Sequence, residues 1–327
     1  MPDRPTVLVT GGAGYIGSHV VLALLEAGRR VLVLDNLSAG QRAAVPDGVP
    51  FIEAHVSDAG RTEAILRQYG VGTVMHFAGS ISVPESIDKP DLYWRNNTAA
   101  TLDLATACVR AGVPRLVFSS TAAVYGESSD SPLTEDAPTA PLNPYGRSKL
   151  AAEWLLADIE AATGLRCLRL RYFNAAGADP QGRTGQHGGS QHLIRVACLT
   201  ALGRRPRLEI FGDDYRTRDG TCERDFIHVA DLADVHVAAL GYLEGGGAGM
   251  VMNVGYGRGY TVREVVAAVE RVTGRPLPAS VGPRRPGDPA SVVADSTRAH
   301  TLLGWTPRHD DLDAIIASTL AWEARYG

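Results

Sequence analysis

Lysine is nearly missing from this 327-residue chain: Lys89 and Lys149 are the only two, and the other 30 basic residues are arginines. An ammonium group is therefore a rare feature here. The four cysteines, Cys108, Cys167, Cys198 and Cys222, include no C-x-x-C pair, which argues against a zinc site or a disulfide framework and suits a reducing compartment. The histidines lack ligand spacing as well, so no metal is expected. With 32 basic against 36 acidic residues the net charge is -4, and no global field invites nucleic acid or an anionic membrane surface. No run approaches the about 18 apolar residues of a membrane helix. The chain starts into a short apolar stretch at 7–9 and not into a charged region with a long apolar one behind it, so no leader is expected and a cytoplasmic location is. Internal repeats and low-complexity tracts are missing too, which disfavours a solenoid or a disordered adaptor.

What is present is enough apolar surface to fold. The chain is 45% hydrophobic and 21% charged, and its length exceeds one ordinary core, pointing to two domains or one enlarged α/β domain. Short β-branched runs at 6–10, 30–35, 51–54, 73–77, 115–119 and 165–171 alternate with helical patterns near 16–27, 62–69, 92–111 and 145–161. That rhythm predicts βαβ units around a parallel sheet whose strands are buried on both faces. After Asn174 the texture turns to Gly, Pro, Asp and Gln, with shorter elements and glycine-rich breaks. A smaller second domain is expected there.

Gly11-Gly12-Ala13-Gly14-Tyr15-Ile16-Gly17 closes the first strand and opens the first helix. In that setting backbone amides and the helix dipole can hold a pyrophosphate that side chains would block, although a glycine-rich turn alone would read the same way. The second strand ends at Asp35, 18 residues beyond Gly17, where a carboxylate would bond a ribose diol and repel a 2′-phosphate. This favours NAD over NADP, with a turn or N-cap role for Asp35 as the competing reading.

In Asn143-Pro144-Tyr145-Gly146-Arg147-Ser148-Lys149, a cap residue and a first-turn proline precede a tyrosine and a lysine four residues apart. The two side chains share a helix face. A phenol of pKa about 10 is a poor base at neutral pH, and an adjacent ammonium favours its phenolate. An ordinary amphipathic helix is the alternative, and the scarcity of lysine weighs against it. Upstream, 116–121 reads as a strand ending in hydroxyls; by itself such a cluster is more often turn chemistry, and its order before Tyr145 and Lys149 favours Thr121 as a partner of a substrate hydroxyl.

These motifs, with Asn36, Phe77-Ala78-Gly79, Val124-Tyr125-Gly126, Tyr172-Phe173-Asn174, the 210–215 and 224–229 segments and 283–288, resemble the UDP-glucose (UDP-galactose) 4-epimerase family of extended short-chain dehydrogenases over nearly the whole chain. The resemblance implies an α/β fold: a doubly wound parallel Rossmann sheet binding NAD at 1–174 with a returning segment near 223–245, and a smaller mixed α/β UDP-sugar domain at 175–222 and 246–327. It implies Tyr145, Lys149 and Thr121 as catalytic residues. Gly11, Gly14, Tyr15, Ile16, Gly17, Asp35, Asn36, His55, Val56, Phe77, Ala78, Gly79, Asn97, Tyr145, Lys149 and Tyr172 are expected around the cofactor. The UDP-sugar is expected to meet Thr121, Tyr145, Asn174, His192, Leu193, Phe211 (against uracil), Arg224 and Arg285 (on the diphosphate), Asp288 (on the ribose) and Val292. A homodimer through the helices near 92–111 and 145–161 is implied as well.

The chain departs from the family pattern at His55-Val56, where an acidic residue often bonds adenine, and at Ile81, which replaces a lysine. Gln191-His192-Leu193 replaces Asn-Asn-Leu, and Val292 replaces a bulky tyrosine beside the sugar C2 substituent, which suggests some turnover of UDP-N-acetylglucosamine. A nucleotide-sugar dehydratase or decarboxylase is one rival, disfavoured because Ala122-Ala123 stand where dehydratases carry Asp-Glu. A silent NAD-sensing protein, a dehydrogenase exchanging free cofactor, and an epimerase of a UDP-pentose or UDP-uronate are the others.

Overall fold

The computed structural model describes residues 5–127, 131–188, 192–285 and 287–326. Its first half runs β1 (Thr6–Thr10), α1 (Tyr15–Glu26), β2 (Val31–Asp35), β3 (Phe51–Glu53), α2 (Ala59–Gln68), β4 (Val71–His76), α3 (Val83–Asp88), α4 (Pro90–Tyr93), α5 (Ala100–Ala111), β5 (Arg115–Thr121), α6 (Pro144–Thr163) and β6 (Arg166–Tyr172). The second half adds β7 (Asn174–Ala176), α7 (Leu193–Ala201), β8 (Leu208–Phe211), β9 (Glu223–His228), α8 (Val229–Glu244), β10 (Met250–Val254), β11 (Gly259–Thr261), α9 (Val262–Thr273), β12 (Ala279–Gly282), β13 (Ser291–Val292), α10 (Thr297–Leu303) and α11 (Leu312–Tyr326). A π-helical stretch, Trp94–Ala99, joins α4 to α5, so the predicted helix near 92–111 is one continuous run.

Seven strands form one parallel sheet in the order β10-β6-β5-β4-β1-β2-β3. Every residue of β1, β2 and β4 is buried, as expected for strands covered on both faces. Alternation along each strand sorts the core into two layers. Val7, Val9 and Val33 face α1 and α8, where Val20, Leu24, Leu232 and Leu240 pack. Leu8, Leu32, Leu116 and Phe118 face α2, α5 and α6, where Leu66, Leu104, Ala152 and Leu156 pack. The strand order reverses between β1 and β4, which opens a crevice at their carboxyl ends.

The chain returns to this sheet differently from the sequence reading. Within 223–245, α8 does come back to pack on α1, but β9 joins a separate four-stranded sheet with β7, β11 and β13. The seventh strand of the large sheet is β10, at 250–254. The second lobe holds that small sheet and the β8–β12 pair, with its own core of Ile194, Leu208, Phe226, Val265, Val269, Ile315 and Ile316. Among the described residues no helix is long and apolar enough to cross a membrane.

Candidate active site

At the end of β1 the chain turns sharply and close to its neighbours. Gly11 has φ +70°, and a Cβ there would lie 2.5 Å from the Ala78 amide nitrogen, so the loop after β4 presses directly on it. A Cβ on Gly17 would stand 2.2 Å from the Gly11 carbonyl oxygen, which Gly14 N–H already donates to at 3.0 Å. Gly14 caps α1 without a side-chain partner. The first amides of that helix, including those of Tyr15 and Ile16, are thus left for an anion; the Tyr15 phenol is directed elsewhere, donating to the Gly177 carbonyl at 2.6 Å. Asp35 is buried, and its two carboxylate oxygens accept from Ala13 N–H at 2.9 Å and Leu37 N–H at 2.8 Å. Its turn role and its fixed aim beside the glycine loop coexist. Asn36 is exposed, its side-chain oxygen accepting from Ser38. His55 is half-buried and engages Ser57 at 2.6 Å, while the Val56 side chain belongs to the core beside Leu34 and Ile65.

Beyond β4, Phe77 packs against the His236 ring at 4.8 Å. Asn97 is buried, and its carboxamide accepts from Ser80 N–H at 2.8 Å and donates to the Ser80 carbonyl and the Ser148 hydroxyl at 3.0 Å. It therefore braces the 77–80 loop against α6 instead of presenting a free amide to the crevice, and a Cβ on Gly79 would come within 2.8 Å of its oxygen. Ile81, in the same loop, is 60% exposed.

The reacting pair sits where α6 crosses the end of β5. Asn143 caps the helix by accepting from Gly146 N–H at 2.9 Å, with Pro144 in the first turn. Tyr145 lies edge-on to Tyr93, with the Thr121 side chain near its phenol. Burial pushes its phenol above the ordinary value, with Thr121 opposing. Lys149 is 3% exposed; its Nζ donates to the Ser119 carbonyl at 2.8 Å and rests 4.8 Å above the Phe118 ring. Burial pulls its ammonium down to about 8, with Glu153 acting against that pull. Tyr172, also buried, shares a 2.6 Å hydrogen bond with His236 Nε2.

On the second lobe, Asn174 is exposed at the start of β7. His192 precedes α7 and bonds Gln186 at 2.9 Å, and Leu193 packs on the lobe's core; Gln191 lies outside the described residues. Arg224 on β9 reaches Asp288 at 3.4 Å, and the Arg285 guanidinium covers the Phe211 ring at 4.1 Å. Val292 is opposite Arg224 in the small sheet and packs with Ala122, Leu150 and Phe173, the sequence neighbours of Thr121, Lys149 and Asn174. The fold thus brings the two predicted sets towards one crevice.

Sequence reasoning missed the supports. His236, Ser148 and the buried Glu153–Arg171 pair at 2.6 Å carry no motif. One signal was available: Glu153 follows Tyr145 and Lys149 at the same four-residue interval, a charge on the face that must be buried. His228 caps α8 by accepting from Ala230 N–H at 3.0 Å, and Asp231 accepts from the amides of Arg308 and His309. Among the described residues no group of three His, Cys, Asp or Glu is placed to hold a metal.

A doubly wound sheet, a glycine cradle that any Cβ would fill, a fixed carboxylate after β2 and a Tyr–Lys pair on one helix face define a dinucleotide-binding protein of the short-chain dehydrogenase type. The residues present fit NAD. The model of the family described as "NAD dependent epimerase/dehydratase family" matches residues 7–255. The chain is 58% identical to a UDP-glucose 4-epimerase of Azospirillum brasilense over 98% of its own length and 92% of that protein's. Among solved structures, the UDP-glucose 4-epimerase of Stenotrophomonas maltophila, with bound NAD and formylated UDP-arabinopyranose, superposes with a TM-score of 0.95 at 39% identity, covering 98% of each chain. That of Brucella ovis, in complex with NAD, gives 0.94 at 44% identity over 97% of this chain and 98% of its own. The chain belongs to the NAD dependent epimerase/dehydratase family and, within it, to the UDP-glucose 4-epimerase family.

Proposed function

We propose that this protein interconverts UDP-glucose and UDP-galactose by inverting C4 through a 4-keto sugar, using tightly bound NAD. The observation that carries the reading is the α6 face that sets half-buried Tyr145 and buried Lys149 beside Thr121, at the carboxyl end of β5. Thr121 aligns the sugar 4-hydroxyl and Tyr145 accepts its proton, then returns a proton to the same oxygen once the keto sugar has turned about its bond to the diphosphate and presents the other face of C4 for reduction. Burial alone keeps the Tyr145 phenol protonated, so its work as a base depends on positive charge in the site, which Lys149 provides. Bound NAD supplies a two-electron acceptor that returns the electrons to the same carbon, and its positive ring adds to Lys149 in favouring the phenolate.

In this reading the large-sheet unit holds the cofactor through Gly11, Gly14, Gly17, Asp35 and the 77–79 loop. The second lobe holds the UDP-sugar, with Arg224 and Arg285 on the diphosphate and Asp288 on the ribose. Ala122 and Ala123 form a 3-10 turn capped by Thr121, so no carboxyl group follows the threonine and elimination is not supported. Val292 beside the Thr121 turn supports a site with room for an N-acetyl group at C2, and thus some turnover of UDP-N-acetylglucosamine. Trp154 on α6, with Trp94, Leu102 and Val109 on the 90–111 run, leaves large apolar side chains exposed, which supports a homodimer through these helices; we place the protein in the cytoplasm.

Purified protein incubated with UDP-glucose is expected to reach an equilibrium with UDP-galactose by NMR, with no added cofactor consumed. Tyr145→Phe should slow this by about three orders of magnitude while leaving the circular dichroism spectrum unchanged. Val292→Tyr should lower the rate on UDP-N-acetylglucosamine relative to UDP-glucose several-fold; equal relative rates in both proteins would remove the specificity reading.

A further inference from the structure

His236 carries no motif and has no part in the chemistry just derived, yet it is fully buried in the middle of α8, which packs against β5. Its ring lies 4.8 Å from the Phe77 ring just beyond β4 and 5.5 Å from the Tyr172 ring at the end of β6. β5 runs between those two strands, so His236 spans the end of the strand that carries Thr121. Tyr172 is the direct partner of Thr121 across β5 and β6, and side chains of paired residues share a face of the sheet. Leu232 and Leu240 fill the same helix face one turn to either side, where an imidazole costs desolvation unless its nitrogens are bonded. A position that a third leucine could fill asks for a reason beyond packing.

Both nitrogens are bonded, and the bonds fix the tautomer. Nδ1 lies 2.8 Å from the Leu232 carbonyl oxygen, which can only accept, so Nδ1 carries the hydrogen. Burial lowers the ring to about 4; it is therefore neutral at physiological pH, and Nε2 is bare. The 2.6 Å hydrogen bond between Tyr172 and Nε2 is then donated by the phenol, and the Tyr172 ring is tied through its hydroxyl to α8. We propose that His236 is a positioning residue: by accepting from the Tyr172 hydroxyl it fixes the Tyr172 ring beside the bound dinucleotide, next to the strand end that aligns the sugar hydroxyl. This rests on the reading that Tyr172 borders NAD, and His236 acts through Tyr172, not on the cofactor or the sugar.

The tautomer can be read in 15N-labelled protein from the ring signals of the nine histidines, with His236→Gln identifying those of His236. A hydrogen on Nδ1 and a bare Nε2 that shifts in Tyr172→Phe are expected; a hydrogen on Nε2 with Nδ1 bare would overturn the proposal. The functional test compares His236→Leu, which keeps apolar bulk and deletes the acceptor, with His236→Gln, whose side-chain oxygen can stand where Nε2 stood. Well below the Tm of each variant, bound NAD in His236→Leu should exchange with isotope-labelled NAD about tenfold faster than in the wild type, with kcat lowered and KM for UDP-glucose nearly constant. His236→Gln, the less stable variant in an apolar setting, should nonetheless exchange more slowly than His236→Leu. On a Tyr172→Phe background, His236→Leu should add little. Wild-type exchange in folded His236→Leu, exchange that follows stability and not the acceptor, or an undiminished effect on the Tyr172→Phe background would each reduce His236 to core packing. If the wild-type protein inverts no UDP-sugar, the epimerase reading fails, while the tautomer and the exchange rates still decide the role of His236.

Discussion

The two halves of the crevice are built in opposite ways. On the large-sheet side, each functional group stands at the end of a regular element and is fixed from behind: Asp35 by two amides, Lys149 by the Ser119 carbonyl, Tyr172 by His236, and the 77–80 loop by Asn97. On the second lobe, Arg285 and Asp288 come from the irregular stretch between β12 and β13, and the charged groups lean on one another. Arg285 covers Phe211, Arg224 reaches Asp288 at 3.4 Å, and Arg284 covers Tyr215 while pairing with Asp214. One side is organised by its own backbone, the other by contacts among its charged and aromatic side chains. This is a workable division for a reaction in which the hydroxyl and its base must stay aligned while the sugar turns over.

If that contrast is real, disturbing the cofactor side should damage fold and binding together. Gly11→Ala places a Cβ at φ +70° against the Ala78 backbone, and neither strand end can yield without moving β1 or β4. We expect a loss of about 3 kcal/mol or more of stability and protein that no longer retains NAD through purification, measured by thermal unfolding and by the absorbance of the released cofactor. Normal retention with an unchanged Tm would show that this loop is not as tightly held as the geometry says.

Acid should separate the two regions next. Burial lowers His76 to about 3 and His19 and His236 to about 4. All three pack in the large-sheet unit, and the unfolded chain binds protons at these residues from about pH 6.5 downward. Unfolded protein therefore gains protons that the native state refuses, and stability falls with pH, on the order of 1 kcal/mol per unit for each histidine until its folded value is reached. The second lobe has His228, lowered to about 3, but also Asp225, which burial raises to about 6. That carboxyl has the opposite sign: its folded form holds a proton that the unfolded form releases between about pH 4 and 6, so acidification stabilises it. Hydrogen exchange between pH 7 and 4.5 should therefore show β1, β4 and α8 losing protection before β9; the reverse order would defeat the assignment of these burial effects.

The same contrast governs how much was legible in the sequence. The large sheet was readable because doubly buried parallel strands leave unbroken β-branched runs, and because Gly11–Gly17, Asp35 and Tyr145–Lys149 obey fixed spacings. What escaped there was support without spacing: His236 lies 64 residues from Tyr172, and Asn97 was placed correctly in the helix but turned inward to the loop. In the second lobe the strands are two to six residues long, too short for periodicity to register, and a chain that leaves one sheet at β9 and rejoins the other at β10 gives no local sign of the exchange. Phe211, Arg224, Arg285 and Asp288 were singled out there only through resemblance, since one arginine among 30 has no distinguishing pattern of its own.

The smallest expected effect tests the second lobe. Arg285 is half-buried, makes a 4.1 Å cation–π contact with Phe211, and sits in a stretch with no helix or strand to hold it. Removing its charge while keeping bulk, as in Arg285→Leu, deletes a contact worth about 1 kcal/mol in the free protein, so Tm should change little. In the complex it deletes a guanidinium that suits diphosphate oxygens, and the loss should fall on uniform binding: KM for UDP-glucose rising about tenfold with kcat nearly constant. Equal loss in kcat would mean that Arg285 is part of the alignment of the reacting hydroxyl, and the second lobe would then be as rigidly organised as the first. An unchanged KM would mean that the Arg285 guanidinium does not bear on the diphosphate.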